Sequence, residues 1–427
     1  MRKTRFFNLY TLCLMTLLAW LSVLNQAASS QLNEKKEYLK LAQQMEKSRK
    51  REEATKKEKT EREVSLKKEN SMIRVLLKNE KEDSYFHPDV TLKRNGEKFY
   101  YGRETVDEAG GTIKIPEDKK GIQILSMSRQ CGAPVYQGSM EIKSNPQGLL
   151  LINELSLETY LEAVVPSEMP SYYELEALKA QAVCARTYAW KQIQEGRLKE
   201  YGADVDDSVS FQVYGNILPQ KETSRGVRET EGQILCYNGE PVQAYYFSTS
   251  AGATSTDEIW GAETPAPYLK SVACEFDSQQ PWSRWTTKVD WEDLTERAEQ
   301  KTGRKEEVLA VAVTEKNESG AVTGLTVTTE TGAFTLEEEY TIREFLSPSG
   351  KVVTEKDGRE TEGGGLLPSA YFTLKAVPKD SLSITGGGYG HGVGMSQNGA
   401  NQMAAEGYGY WEILEYFFKD VQLGTIE

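Results

Sequence analysis

The chain has 427 residues, 38% of them hydrophobic and 27% charged, which leaves room for two domains and a sizeable core. Its formal net charge of −13 excludes binding to nucleic acid or to an anionic membrane through bulk charge, so a polyanionic partner has to be held in a local groove. With 2 histidines in the whole chain, most acid–base chemistry falls to carboxylates.

Arg2, Lys3 and Arg5 precede an uncharged run from Phe6 to Asn33. Its apolar part, FFNLYTLCLMTLLAWLSVL, has about the length that spans a bilayer. Ala27 and Ser29 meet the small-residue rule for cleavage only weakly, so residues 1–30 read as a retained membrane anchor in preference to a signal peptide. The positive-inside rule then places the rest of the chain outside the membrane. Residues 31–70 carry 13 Lys/Arg against 9 Glu, without Gly or Pro, and too few apolar residues for a coiled-coil seam. They read as a solvated helical or disordered spacer. These basic ends leave a charge of about −20 on residues 71–427.

Short β-patterned runs follow: SMIRVLLK, GTIKI, GIQILSM, GSMEIKS and GLLLINEL, with a turn at Asn145–Gly148. Two helices come next. Ser156 caps the first, whose apolar spacing runs through Leu157, Leu161, Val164 and Val165 until Pro166 is expected to end it. The second opens on a capping box, Ser171 to Glu174, and its stripe is Leu175, Leu178, Ala182, Ala185 and Ala189. Lys179 and Arg186 fall at the border of that stripe, where a cation lines a groove or simply snorkels. Glu168 sits between Pro166 and Pro170 on the corner joining the helices. A carboxylate held on so rigid a corner has the placement of a general acid.

Residues 201–216 read as a polar loop running into a strand, and residues 232–254 as a hairpin with its turn at Asn238–Gly239, ending in a Ser/Thr/Gly loop at 248–254. From about 276 to 365 the pattern shifts to a helix (WEDLTERAEQK), two strands, a short helix near Ile342–Phe345 and a Gly-rich loop at 363–365, which together suggest an inserted module. Glycine then recurs at every second position from Gly386 to Gly394, which predicts an extended strand with one bare face. Ser396 caps a helix ending at Gly407, and a last helix covers Trp411–Phe418. The fold class is α+β: a β-rich core (71–275 and 366–427) with a two-helix catalytic segment, an α/β accessory module (276–365), an N-terminal transmembrane anchor and a charged spacer.

Several chemistries fail on spacing. No GxxxxGK[ST] is present, the first glycine of a nucleophile elbow is missing near Ser248–Gly252, and no HExxH or paired cysteines occur. Cys131, Cys184, Cys236 and Cys274 read as buried thiols or as disulfides, and the sequence does not choose. Carboxylate chemistry on a glycan survives, with Glu168 as the acid. A hydrolase needs a second carboxylate, from Asp206, Asp207 or Asp277; a lytic transglycosylase needs only one.

The segments YLEAVVPSEMPSYYELEALKAQAVCARTYA, DDSVSFQVYG, YYFSTSAGATS…WG…PYL and GGGYGHGVGMSQNGANQMA resemble, in this order, the stage II sporulation protein D (SpoIID) family, related to the amidase enhancer LytB. The resemblance covers about residues 71–427. It implies a membrane-anchored enzyme facing the space between the two membranes of an engulfing sporangium, acting as a lytic transglycosylase on peptide-denuded peptidoglycan strands together with an amidase and membrane engulfment proteins. A non-catalytic amidase enhancer is the alternative it implies. Glu168 becomes the catalytic acid/base and Arg186 the arginine needed for activity. Lys179, Gln212, Tyr214, Ser248, Ser250, His391 and Gln397 become substrate-binding residues. Two departures stand out. Ser250-Ala251-Gly252 replaces the family's Ser-Gly-Gly, and Tyr201–Ser208 lacks the His and Cys with which some relatives hold zinc, so no metal and no cofactor are expected.

Overall fold

The computed structural model describes residues 64–66, 71–79, 83–377 and 381–426. The anchor at 1–30 and most of the spacer lie outside the described residues. Among the described residues no helix is long and apolar enough to cross a membrane. One part of the tract expected to be a helical or disordered spacer is neither: Val64–Leu66 is a strand paired in parallel with Gln422–Ile426 near the C-terminus.

The mixed α and β architecture is as expected. Its central five-stranded sheet has the order Val205–Asp206, Met72–Leu76, Gly148–Ser156, Ser139–Asn145, Thr112–Ile115. The run GLLLINEL is apolar on both sides because both faces of its strand are covered. Leu149, Leu151 and Leu155 enter the main core, while Leu150 and Ile152 pack with Leu76, Leu198 and Ala203 in a smaller one. A four-stranded sheet (Glu97–Tyr101, Val90–Arg94, Ile122–Ile124, Val135–Tyr136) and helix α1 (Arg103–Glu108) complete this part.

Helix α2 spans Leu157–Glu168. Ser156 caps it as expected, its hydroxyl accepting from the Thr159 amide at 3.2 Å. Pro166 does not end it. In the last turn the proline removes one amide, and the helix still closes through the Met169 amide on the Val165 carbonyl at 2.8 Å. Glu168 is therefore the last helical residue. Helix α3 (Leu175–Glu195) stops at Gly196, in the left-handed region at φ 62°. Its expected capping box is absent. Glu174 is the N-cap without a side-chain bond, and its amide donates instead to Asn401 at 2.8 Å. The stripe also proves too narrow, since Ala177, Ala180, Ala182, Ala185 and Ala189 are all buried and α3 is covered on almost every side. Small residues permit that, because α2, helix α4 (Lys221–Glu229) and the strand Gln233–Tyr237 all approach it. Arg186, expected at a border, is wholly buried.

The hairpin turn forms at Asn238 and Gly239, with φ 51° and 85°. The strand-like 211–215 segment is irregular. A second hydrophobic core gathers Trp285, Leu294, Val327, Ile342, Phe345 and Ile384. It lies under a five-stranded sheet drawn from residues 285–290, 352–355, 360–362, 372–377 and 381–386, with helices α5 (Trp291–Thr302) and α6 (Glu339–Phe345) and a three-stranded sheet. Strands 372–377 and 381–386, assigned to the main core from sequence, thus belong with the accessory elements.

The glycine repeat departs most from expectation. Gly388, Gly390, Gly392 and Gly394 have φ of 83°, 107°, 85° and 81°, so every second residue turns left-handed and no strand forms there. The close approach inferred from bare backbone does hold: a Cβ on Gly394 would collide with the Tyr245 carbonyl oxygen. After this loop come helices α7 (Gln397–Ala405) and α8 (Tyr410–Phe417), then the closing strand Gln422–Ile426. Ser396 caps α7 as expected, accepting from Gly399 at 3.1 Å.

Candidate active site

Glu168 faces a cleft of about 500 Å³. One wall is the 209–213 segment, another the short strand Tyr246–Phe247 with Ser248, and the third the glycine loop with His391 and Gln397. The strand Tyr246–Phe247 pairs in parallel with Met395–Ser396, which sets these last two walls side by side. Tyr188, Phe211, Tyr245, Trp260 and Tyr389 supply an aromatic lining, the kind of surface on which sugar rings stack. Trp260 and Tyr389 are the most open of them, 36% and 44% exposed.

Glu168 is half-buried, with part of its surface turned to the cleft. The protein around its carboxyl raises the pKa to about 7, and burial is the largest cause. Three hydrogen bonds work the other way, from the Val213 amide at 2.8 Å and from the Tyr246 and Gln397 side chains. Among the described residues no Lys or Arg lines the cleft to counter the burial. Neither Lys179 nor Arg186 is among the groups that shift the Glu168 carboxyl.

His391 lines the cleft but carries no charge at neutral pH. Its Nδ1 accepts from the Val393 amide at 3.1 Å, so Nε2 carries the proton and donates to the Tyr246 carbonyl at 3.0 Å. Burial, with Arg343 nearby, holds its pKa down at about 4. Ser248 and Gln397 also line the cleft, Gln397 placed by the cap of α7. Four of the residues expected from sequence are thereby brought together: Glu168, Ser248, His391 and Gln397.

The others are elsewhere. Arg186 makes a two-pronged ion pair with Glu158, both bonds 2.7 Å, and donates to the Val227 and Gln233 carbonyls. Glu158 is in the first turn of α2 and Glu168 in the last, roughly 15 Å of helical rise apart. Arg186 therefore ties α2 to α4 and to the strand Gln233–Tyr237 and does not reach the cleft. Lys179 bridges Glu176 and Glu229, each at 2.7 Å. Gln212 stands behind the cleft, donating to the Tyr246 hydroxyl at 3.0 Å and accepting from Tyr160 at 3.2 Å. Tyr214 is buried and donates to Asn153 at 2.6 Å. Ser250 lies in a separate buried cluster, its amide donating to Asp277 at 3.1 Å. The three candidate second carboxylates are all committed: Asp206 accepts from Tyr85 at 2.7 Å, Asp207 pairs with Arg129 at 2.5 Å, and Asp277 accepts from Ser250 and Ser396. None of them lines the cleft, so among the described residues Glu168 is its only carboxylate.

Tyr246, Trp260 and Tyr389 were not picked out from sequence. Trp260 and Tyr389 are large aromatics in Gly- and Ser-rich stretches, a signal that was present and unused; for Tyr246 no local signal exists. The four described cysteines are unpaired, Cys131 exposed and Cys184, Cys236 and Cys274 buried.

Residues 145–237 match the family model for stage II sporulation protein, and residues 268–394 match that of a domain of unknown function. The chain is 31% identical to stage II sporulation protein D of Bacillus subtilis over 315 residues, covering 69% of this chain and 84% of that protein. It is 30% identical to stage II sporulation protein D of Bacillus amyloliquefaciens over 339 residues, 76% of this chain and 87% of the relative. A third similarity, 30% over 303 residues, is to the amidase enhancer of Bacillus subtilis, of which only 40% is covered. The matched region 145–237 contains Glu168; Ser248, His391 and Gln397 lie beyond it.

Proposed function

The chain belongs to the stage II sporulation protein D family, and from that membership we propose that it acts on the cell wall during sporulation as a lytic transglycosylase of peptide-denuded glycan strands. What carries the reading is a single cleft carboxylate whose pKa of about 7 keeps it half protonated at neutral pH. In its acid form Glu168 donates a proton to the glycosidic oxygen as the bond from the anomeric carbon to that oxygen breaks. The C6 hydroxyl of the same sugar then attacks the anomeric carbon, and the Glu168 carboxylate takes the hydroxyl proton. The strand is cut, a 1,6-anhydro end forms, no water is consumed, and Glu168 is protonated again. One carboxylate suffices for this cycle. A hydrolase would need a second, and the described residues lining the cleft offer none.

Tyr246 and Gln397 stabilise the carboxylate that exists between the two proton transfers, Ser248 offers its hydroxyl to the sugar, and His391, with both ring nitrogens bonded to backbone, fixes Tyr246 and presents its ring to the cleft. An N-terminal anchor would keep the domain at the membrane, facing the intermembrane space, beside an amidase that strips the stem peptides and the engulfment proteins. The test is digestion of amidase-treated peptidoglycan, with products identified by mass. Wild type should release 1,6-anhydro ends and Glu168→Gln should release none; full activity in that variant would refute the assignment.

The similarity to an amidase enhancer supports a second reading, a glycan-binding module that stimulates an amidase without cutting. It predicts stimulation that survives Glu168→Gln, in a protein whose wild type releases no anhydro sugars.

A further inference from the structure

The glycine loop that carries Tyr389 and His391 is held from its far side by the accessory elements, and three separate ties do this. The first runs through a buried ion pair on α6. Arg343 binds Glu339 at 2.5 Å and donates to the Leu367 and Pro368 carbonyls at 2.8 and 3.3 Å. The Pro368 carbonyl also accepts from the Gly390 amide at 2.8 Å, so a single oxygen joins α6 to the residue between Tyr389 and His391. The second tie centres on Gly392. Its carbonyl accepts from the Ser255 amide at 2.7 Å, and its bare α-carbon lies against the Tyr371 ring, where a Cβ would come within 2.9 Å. Asn317 donates to the Ser255 hydroxyl at 2.7 Å, and Ser319 bridges Ser255 and the Tyr371 hydroxyl at 3.3 and 3.1 Å. In the third, the Trp285 indole donates to the Gly388 carbonyl at 2.9 Å.

A loop with left-handed residues at every second position has no ladder of its own to hold it. Tyr389 exchanges two backbone bonds with Thr249 on the near side, at 2.8 and 3.1 Å, and the rest of the shape between Gly388 and Gly392 leans on the accessory contacts. What it holds in turn is close to the chemistry, because His391 donates to the Tyr246 carbonyl and Tyr246 hydrogen-bonds Glu168. We infer that the accessory module is a positioning element of the cleft: Arg343, with Glu339, and Tyr371, with Asn317, set the glycine loop so that Tyr389, His391 and Tyr246 meet a glycan strand in register. This rests on the cleft being where the glycan binds, as proposed above. It also gives a role to the region matched by the domain of unknown function, which takes in both the module and the loop.

The experiment uses the full chain carrying Glu339→Gln with Arg343→Met. Removing both members of the buried pair strands neither charge. A second chain carries Asn317→Ala with Tyr371→Phe and weakens the second tie by removing the side-chain bonds that hold Ser255 and Tyr371 together. Four quantities are read: KM and kcat on amidase-treated glycan, affinity for the same glycan in a Glu168→Gln background, and the imidazole resonances of His391, simple to follow among 2 histidines. Loosening the loop should raise KM about 5–10-fold, change kcat less than about 3-fold and move the His391 resonances, with unchanged far-ultraviolet dichroism. Parental KM, affinity and His391 resonances in the folded variants would overturn the inference. Should the first pair fail to fold, the second decides by the same criteria. A protein that releases no anhydro sugar, yet whose glycan affinity and His391 resonances respond to the module variants, would refute the enzymatic reading and leave this one standing.

Discussion

Replacing Glu168 by Gln should make the protein more stable at alkaline pH while abolishing its proposed activity. The magnitude follows from the carboxyl's surroundings. Burial lifts its pKa from the ordinary 4.5 to about 7, roughly 2.5 units at ~1.36 kcal/mol each. The folded value lies above the unfolded one, so between them the native chain binds more protons than the unfolded chain. The stability contributed by protonated Glu168 is complete below about 4.5 and is lost as pH rises through about 7. Glutamine keeps the shape and does not titrate. Between pH 5 and 8.5 the stability difference between wild type and Glu168→Gln should therefore move by roughly 2–3 kcal/mol in favour of the variant. Urea unfolding of both proteins across that range measures it, using the displacement of the midpoint at constant slope. A difference constant to within ~0.5 kcal/mol over the whole range would refute the perturbed titration, and with it the claim that the cleft holds a proton for catalysis.

The rate should follow the same proton. kcat/KM on denuded glycan should be level below the Glu168 pKa and fall about tenfold per pH unit above it. Tyr246→Phe removes a hydrogen bond that favours the charged form, so the falling limb should shift to higher pH; a shift to lower pH would contradict the geometry. Arg186→Met should destabilise by roughly 2–4 kcal/mol in urea, because it removes a buried guanidinium that bonds half-buried Glu158 and the Val227 and Gln233 carbonyls. The folded fraction should still cleave glycan within about 3-fold of wild type, and a large loss in kcat per folded molecule would place Arg186 in the chemistry after all. Thiol labelling of the native protein should modify Cys131 promptly and Cys184, Cys236 and Cys274 only on unfolding, as peptide mass mapping would show.

Local pattern carried much of the architecture. The apolar spacing and serine caps located α2 and α7, the Asn238–Gly239 pair located the hairpin, and continuous hydrophobicity marked the Gly148–Ser156 strand. Failures came where the pattern was locally ambiguous. A proline two residues from a helix end costs one hydrogen bond in either reading, so Pro166 did not reveal that Glu168 is still helical. Strict two-residue alternation of glycine fits a strand and a left-handed loop equally well, and only the backbone angles separate them. Arg186 looked like a groove residue because a helical wheel shows which face a side chain takes and not what covers that face.

For the site the division is sharper. The sequence alone determined that one glutamate stands at the corner between two helices, because proline placement and apolar periodicity act over a few residues. The tertiary structure decided what that glutamate is. Val213, Tyr246, His391 and Gln397 converge on it from 45 to more than 200 positions away in the chain, and the burial they impose raises its pKa. The same folding took Arg186 and Lys179 out of reach by giving each a carboxylate partner elsewhere. Protonation depends on the dielectric and hydrogen bonds within a few ångströms of an atom, and those neighbours are chosen by the fold.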